Sequence, residues 1–157
     1  MHGDTIVHRL LGQADQRPEA PALFEKRAGV WRAISYRSYA DTVKRVGRAL
    51  LSLGFDKGDT VSLLGFNRPE WVYLAVGAMA AGGAAAGIYT TSSPSEVGYI
   101  AGHAESKVIL VENAEQWSKV EKVLHDLPKL ERVVLMRGAT VEHPKVLSWE
   151  AFLALAE

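Results

Sequence analysis

The middle of the sequence alternates four short apolar runs with segments of helical periodicity, and this alternation constrains the fold more than any other feature. The runs lie near residues 60–65, 84–89, 107–111 and 132–136, and each is apolar along nearly its whole length. Strands buried on both faces have this composition, which is typical of parallel sheets covered by helices. The sequence therefore predicts an α/β fold with a mainly parallel, doubly wound sheet flanked by helices.

Three elements are predicted before the alternating region. An amphipathic helix is expected over residues 5–17, and two extended runs joined by an Ala-Gly pair indicate a hairpin near residues 21–34. The hairpin is expected either to join the central sheet or to lie at its edge. Ser35 then caps a long helix with one apolar stripe, and Gly54 closes that helix in the left-handed conformation.

Capping signals also mark the helix starts inside the alternating region. Asn67 with Glu70 predicts one capping box, and Ser93 with Glu96 predicts another. Pro69 lies in the first turn after Asn67, and Pro94 occupies the first helical position after Ser93. The small residues from Gly77 onwards are expected to let their helix approach the sheet closely.

The length of 157 residues suits one domain with a sizeable core. We interpret residues 1–157 as a single N-terminal subdomain with its α/β core at about residues 35–137. The segment that follows the core, GATVEHPK, is predicted to be a long loop.

Charge and cysteine content exclude several functional classes. Lys plus Arg number 18 and Asp plus Glu number 18, so the formal net charge is zero. A neutral chain has no overall attraction to nucleic acid or to an anionic membrane. The sequence has no cysteine, which excludes disulfides, thiol catalysis and thiolate metal sites and fits a reducing compartment.

One uncharged stretch, residues 71–88, is long enough to cross a bilayer. It consists mostly of alanine and glycine, and Gly82 and Gly83 interrupt it where a membrane span would be helical. We therefore predict a buried helix followed by a buried strand in this stretch.

One loop stands out as a candidate binding site. Tyr89, Thr90 and Thr91 follow a buried strand and lead into a capped helix, at the end where α/β sheets bind ligands. These three residues are the predicted substrate- or cofactor-binding residues, and a helix cap without a ligand is the alternative. No phosphate-binding G-x-x-x-x-G-K-[ST] loop or paired histidine spacing occurs, so no catalytic or metal-ligating residue is assigned.

Several segments, taken in order, resemble the opening of the AMP-forming acyl-CoA synthetases, an adenylating superfamily. They read PALF, ISYRSYAD, GDTVSLLGFNRPEW and GIYTTSSPSEVGYIAGHAESKVILVEN. The last segment is most similar to long-chain fatty acyl-CoA synthetases, including the bubblegum group. The resemblance covers about residues 5–137 and rests on the order and spacing of the segments.

The resemblance implies a two-step reaction of a complete enzyme. A fatty acid carboxylate attacks the α-phosphate of ATP to give acyl-AMP and pyrophosphate, and the thiol of coenzyme A then displaces AMP. ATP, Mg²⁺ and coenzyme A are the implied cofactors. The implied location is the cytoplasm, with peripheral membrane association of the complete protein as an alternative, and neither a nucleic-acid partner nor a transmembrane segment is implied.

The sequence departs from this family by lacking three of its features. These are the Ser/Thr/Gly-rich phosphate loop, the acidic residue that holds the ribose hydroxyls, and the lysine of the mobile C-terminal domain. We therefore expect an N-terminal fragment of a longer ligase, inactive alone, binding no cofactor tightly and able to self-associate through an exposed apolar interface. A ligase for aryl or amino acids and a non-catalytic doubly wound binding module are the alternatives.

Overall fold

A computed structural model describes residues 4–157, which form a five-stranded parallel sheet and a separate two-stranded hairpin. The strands are β1 (Pro21–Arg27), β2 (Val30–Ser35), β3 (Thr60–Leu64), β4 (Ala84–Ile88), β5 (Ser106–Val111), β6 (Arg132–Leu135) and β7 (Val146–Leu147). The helices are α1 (Ile6–Gln16), α2 (Tyr36–Ser52), α3 (Pro69–Ala80), α4 (Pro94–His103), α5 (Ala114–Lys122), a 3₁₀ turn (Leu124–Asp126) and α6 (Trp149–Ala154).

The central sheet has the order β4-β3-β5-β6-β7, and every neighbouring pair in it is parallel. The chain passes from β3 to β4 on one side and then crosses back to β5 on the other side of β3. The predicted doubly wound parallel sheet is therefore confirmed. The hairpin β1–β2 neither joins this sheet nor extends its edge, since it pairs only with itself.

The fifth strand was missed by the sequence analysis. β7 follows the segment that was predicted to be a long loop, and it pairs in parallel with β6. It contains only two residues, which is too short for a periodic pattern to reveal a strand.

Two apolar layers enclose the sheet. Helices α1, α2, α3 and α6 pack on one face, and α4 and α5 pack on the other. Along β3, Val61 and Leu63 belong to the first layer and Leu64 belongs to the second, which is the alternation of a strand buried on both faces. The buried Ser62 and Ser106 hydroxyls satisfy each other across β3 and β5 at 2.7 Å.

The uncharged stretch at residues 71–88 is a helix followed by a strand, as predicted, because α3 and β4 occupy it. The prediction that this strand is buried is wrong, because β4 is the edge strand of the sheet and only Ile88 in it is buried. Within residues 4–157 no helix is long and apolar enough to cross a membrane. Gly77 of α3 allows a close contact, but with α2 rather than with the sheet. A methyl group at Gly77 would lie 2.3 Å from Val46 Cγ1, so only glycine lets these two helices pack at this distance.

Most of the predicted caps are confirmed. The Ser35 hydroxyl accepts a hydrogen bond from the Ser38 amide at the start of α2, and Gly54 has a φ of 74° just after its end. At the start of α4 the capping box between Ser93 and Glu96 is complete in both directions.

The predicted capping box between Asn67 and Glu70 is wrong. Arg68, not Asn67, occupies the N-cap position of α3, and no side chain caps that helix. The Glu70 side chain turns inward, where it is fully buried, instead of reaching back to the helix start. The local pattern is that of a capping box, but the neighbouring Arg68 and the distant Arg137 hold the carboxylate in the interior.

The buried Glu70 carboxylate joins three parts of the fold. Its Oε1 accepts hydrogen bonds from Arg137 Nε at 2.7 Å, from the Arg137 amide at 3.3 Å and from Arg68 at 3.1 Å. Arg137, just beyond β6, also pairs with Glu25 of the hairpin at 3.5 Å. Burial raises the pKa of Glu70, and the nearby Arg68 opposes that shift. This ionic cluster therefore ties the start of α3 to the end of β6 and to β1.

Replacing Glu70 with Gln is expected to lower the free energy of unfolding by about 1.5–3 kcal/mol, because the substitution removes the charged partner of two guanidinium groups that are partly exposed. Urea unfolding at neutral pH followed by circular dichroism measures the loss. Glu121→Gln is the matched control, since Glu121 is exposed on α5. Equal stability of Glu70→Gln and the wild type would contradict a structural role for the cluster.

Candidate ligand-binding site at the carboxyl ends of β3 and β4

A cavity of about 440 Å³ opens where β3 and β4 end. Because the two strands are parallel, the loops that follow them emerge at the same edge of the sheet and form its walls. Three aromatic rings, two glycines, one amide, one hydroxyl and one aliphatic side chain surround the space. The lining residues are Gly65, Phe66, Asn67, Trp71, Gly87, Ile88, Tyr89 and Thr90.

Two glycines line this cavity. A methyl group at Gly65 would lie 2.8 Å from Met136 Cε and 2.9 Å from Glu112 Cβ, so a larger residue would force the end of β3 to move. A methyl group at Gly87 would lie 3.6 Å from Trp71 Cζ2, and any longer side chain there would extend into the cavity. The cavity therefore depends on the absence of a side chain at Gly87, whereas Gly65 lets the end of β3 pack closely against Glu112 and Met136.

The structure places two of the three predicted site residues in the cavity wall. Tyr89 is 83% exposed and Thr90 is half-buried, and both line the cavity. The Ser92 amide donates a hydrogen bond to the Tyr89 carbonyl at 3.0 Å and closes a turn. Thr91 is exposed on this turn and does not line the cavity. Tyr89 and Thr90 thus lie in the cavity wall, whereas Thr91 lies outside it.

Both ends of the loop at residues 89–93 are fixed. The Ser93 amide donates to Glu96 Oε2 at 2.6 Å, and this bond lowers the pKa of the Glu96 carboxyl. On the other side, Lys119 of α5 donates from its ammonium group to the Thr90 carbonyl oxygen. The sequence analysis missed Lys119, because it lies 29 residues from Thr90 and only the fold of α5 against the sheet brings the two together.

Asn67 has another position than the sequence predicted, and Trp71 lies beside it in the cavity wall. Asn67 does not cap α3, and its exposed side chain lines the cavity without a hydrogen bond to any residue in the range 4–157. Trp71 is half-buried against the apolar layer, and its ring forms part of the wall. Asn67 was predicted to cap a helix, but its side-chain amide is instead free to bind a ligand.

The usual ligand position of this strand order is closed. The strand order is that of flavodoxin-like sheets. In such sheets a ligand binds in the crevice between two neighbouring strands whose connections leave to opposite faces of the sheet, and here these strands are β3 and β5. Glu112 fills that position, because its Oε2 accepts a hydrogen bond from the Phe66 amide at 3.0 Å. The cavity of about 440 Å³ lies one strand further along the sheet, between β3 and β4, and a smaller hollow of about 270 Å³ lies beyond the carboxyl ends of β5 and β6.

A polar hollow at the opposite end of the sheet is a weaker candidate. Lys107 lies in its wall, but its ammonium group is already paired with Asp59 at 2.9 Å and with the Gly54 carbonyl. The backbone amide of Asp56 and then Lys107 lower the pKa of Asp59, so the pair is a stable structural contact. Within residues 4–157 no three histidine, aspartate or glutamate side chains are arranged to hold a metal ion, and His2 lies outside the described residues.

Comparison with known proteins identifies a family. The family model described as AMP-binding enzyme matches residues 10–154. The long-chain-fatty-acid–CoA ligase ACSBG1 of Rattus norvegicus is 42% identical over 130 residues, which is 82% of this chain and 18% of the ligase. ACSBG2 of Xenopus laevis is 34% identical over 153 residues, which is 96% of this chain and 21% of that protein. The chain thus spans about a fifth of the length of these curated relatives.

Solved structures show the same fold. The anthranilate CoA ligase AuaEII, in complex with anthranoyl-AMP, superposes with a TM-score of 0.83 at 28% identity over 94% of this chain and 27% of the ligase. The acetoacetyl-CoA synthetase of Streptomyces lividans has the same TM-score at 22% identity, over 94% of this chain and 24% of the synthetase. The order of segments in the sequence, the parallel sheet and the family match agree, and the chain belongs to the AMP-binding enzyme family.

Proposed function

We propose that the complete protein is a long-chain fatty acid–CoA ligase that acts in the cytoplasm. It would form acyl-AMP and pyrophosphate from a fatty acid and ATP and then transfer the acyl group to coenzyme A. The observation that carries the proposal is the 42% identity over 130 residues to a long-chain-fatty-acid–CoA ligase. The absence of cysteine supports a reducing compartment, because no residue of this chain depends on disulfide formation.

The residues of this chain fit one of the three implied cofactors. The cavity between β3 and β4 combines the rings of Phe66 and Trp71 with the Asn67 amide and the Thr90 hydroxyl. This mixture suits the pantetheine arm of coenzyme A, in which short apolar segments alternate with amides. Tyr89, Thr90 and the neighbouring Thr91 would therefore border the coenzyme A side of the complete active site, and the nucleotide side is the alternative.

ATP phosphates and Mg²⁺ do not fit the residues described. The sequence has no glycine-rich phosphate loop between a strand and a helix. No group of three acidic or histidine side chains in the part of the chain described is placed to ligate a cation. Triphosphate binding and adenylation are therefore assigned to parts of the complete enzyme outside this chain.

A ligase for aryl acids is the second candidate function. The observation that favours it is the superposition on an anthranilate CoA ligase at 28% identity, which is the highest identity among the solved structures compared above. The choice between the two depends on the acid pocket, to which no residue of this chain is assigned. Activity of the complete enzyme with palmitate and with anthranilate separates the two candidates.

The chain of 157 residues alone is expected to show no ligase activity, since phosphate positioning and charge stabilisation supply most of the catalysis in such a reaction. Release of AMP in the presence of ATP, palmitate and coenzyme A measures this directly. Activity that persisted through repurification would contradict the expectation.

A reading frame that continues into a Ser/Thr/Gly-rich phosphate loop would support the ligase, and one that stops after Glu157 would support a binding module.

Replacing Thr90 with Val, or Tyr89 with Ala, in the complete enzyme is expected to raise the KM for coenzyme A about three- to tenfold, as expected for the loss of one hydrogen bond or one ring contact. The rate of pyrophosphate release without coenzyme A should not change, because adenylation does not use this loop. A slower adenylation step would instead place the loop on the nucleotide side.

Ser93→Ala serves as the control for these two variants. It removes the cap of α4 and should lower the free energy of unfolding by about 0.5–2 kcal/mol without changing the KM for coenzyme A. If Tyr89→Ala and Thr90→Val both leave the kinetics unchanged, the loop has only a structural role.

Replacing Lys119 with Met should release the loop, because it removes the donor to the Thr90 carbonyl. We expect the KM for coenzyme A to rise about tenfold, equivalent to roughly 1.4 kcal/mol, while the KM for ATP stays the same. Lys119→Arg should recover part of the loss, and exposed Lys122→Met is the matched control on the same helix. An equal effect of Lys119→Met and Lys122→Met would show that Lys119 does not position the loop.

A further inference from the structure

Gly87 lies near the end of β4, where it faces the candidate cavity. In the strand register it is opposite Leu63 of β3, which is fully buried on the face of the sheet that α3 covers. Ala85, two residues earlier in β4, packs on that same face. A side chain at position 87 would therefore project between the sheet and α3, into the space that Trp71 borders.

Neither the backbone nor the packing of the chain requires glycine at this position. Gly87 belongs to a regular strand and has no positive φ, so any residue can adopt its conformation. A methyl group there would meet Trp71 Cζ2 at an ordinary contact distance of 3.6 Å, and no other described atom outside the two chain neighbours lies within 4 Å. Gly83, just before β4, differs, because a methyl group there would lie 2.3 Å from the Asp59 carbonyl oxygen.

A glycine that the fold does not require weakens the strand that contains it. Glycine loses more backbone freedom on folding than any other residue, and it packs no side chain against its neighbours. Glycine inside a strand often marks a place where a ligand approaches the backbone closely. Because Gly87 lines the cavity of about 440 Å³, a ligand that occupies this cavity explains the missing side chain.

We propose that Gly87 determines the size of the nucleophile that this site admits. The inference rests on the proposed function, because the nucleophile of the second step is the thiol of coenzyme A. The missing side chain leaves room for the pantetheine arm, whereas a branched side chain at position 87 would admit only small nucleophiles.

Gly87 contributes space to this step and no chemical group. The thiol sulfur bonds to the acyl carbon of acyl-AMP, and the carbon–oxygen bond to AMP breaks. AMP leaves with the electron pair of that bond, and the thiol proton passes to solvent. Gly87 is therefore a specificity-determining residue and not a catalytic one.

Competition between a large and a small nucleophile in the complete enzyme tests the proposal. Hydroxylamine, which is much smaller than coenzyme A, also attacks an acyl-adenylate and gives a hydroxamate. With both nucleophiles present at fixed concentrations, Gly87→Val should raise the ratio of hydroxamate to acyl-CoA at least about tenfold, because its side chain fills part of the cavity. Gly87→Ala should raise the ratio by less, because a methyl group fills less space.

Ala84→Val is the matched control for these variants. Ala84 is exposed on the same strand and does not line the cavity, so its replacement should leave the ratio as in the wild type. Thermal unfolding followed by circular dichroism checks that each variant is folded. Gly87→Val should unfold at no lower temperature than the wild type, both in the 157-residue chain and in the complete enzyme, because valine favours strands.

Three outcomes would overturn the proposal. One is an equal ratio for Gly87→Val and Ala84→Val while Tyr89→Ala raises the KM for coenzyme A, which would leave the proposed function intact. Another is a lower unfolding temperature of Gly87→Val in the complete enzyme but not in the 157-residue chain, which would show that another part of the enzyme fills this space. The third is hydroxamate without any acyl-CoA from the wild type, which would refute the proposed function as well.

Discussion

The loops of the candidate site lie together because β3 pairs in parallel with β4 on one side and with β5 on the other. Parallel pairing brings the carboxyl ends of the three strands to one edge of the sheet, so segments that are 22 to 25 residues apart in sequence, 65–67 and 89–90, share a cavity wall. The strands can be packed on both faces because nearly all their side chains are apolar. Burial of the strands therefore determines the position of the site.

The edge of the sheet is held in place by a few polar contacts. Glu70 fixes the start of α3 to Arg137 after β6, and Glu112 accepts from the Phe66 amide and closes the space between β3 and β5. Lys119 anchors Thr90 at the opposite wall. The bonds of Glu70 and Lys119 are partly buried and therefore costly to break, so they keep the loops in one arrangement while the space between β3 and β4 stays open.

The sequence predicted the features that follow from a repeating pattern or from neighbouring residues. It missed the features that depend on residues far away in the chain. The apolar runs identified four of the five strands of the central sheet, and local hydroxyl chemistry identified the caps at Ser35 and Ser93. Asn67 and Glu70 matched the same local pattern, yet two arginines, one of them 67 residues away from Glu70, draw the carboxylate into the interior. Lys119 and the two-residue strand β7 had no periodic signal, and only the assembled sheet places them.

The central claim is that the loop after β4 borders the coenzyme A side of a ligase active site. Amide hydrogen exchange on the complete enzyme tests it most directly, with coenzyme A added and withheld. The account predicts slower exchange of the Thr90, Thr91 and Ser92 amides when coenzyme A is present, and unchanged exchange in α6, on the far side of the domain from α4. Identical exchange of the loop with and without coenzyme A, in an enzyme that turns over coenzyme A, would contradict the account.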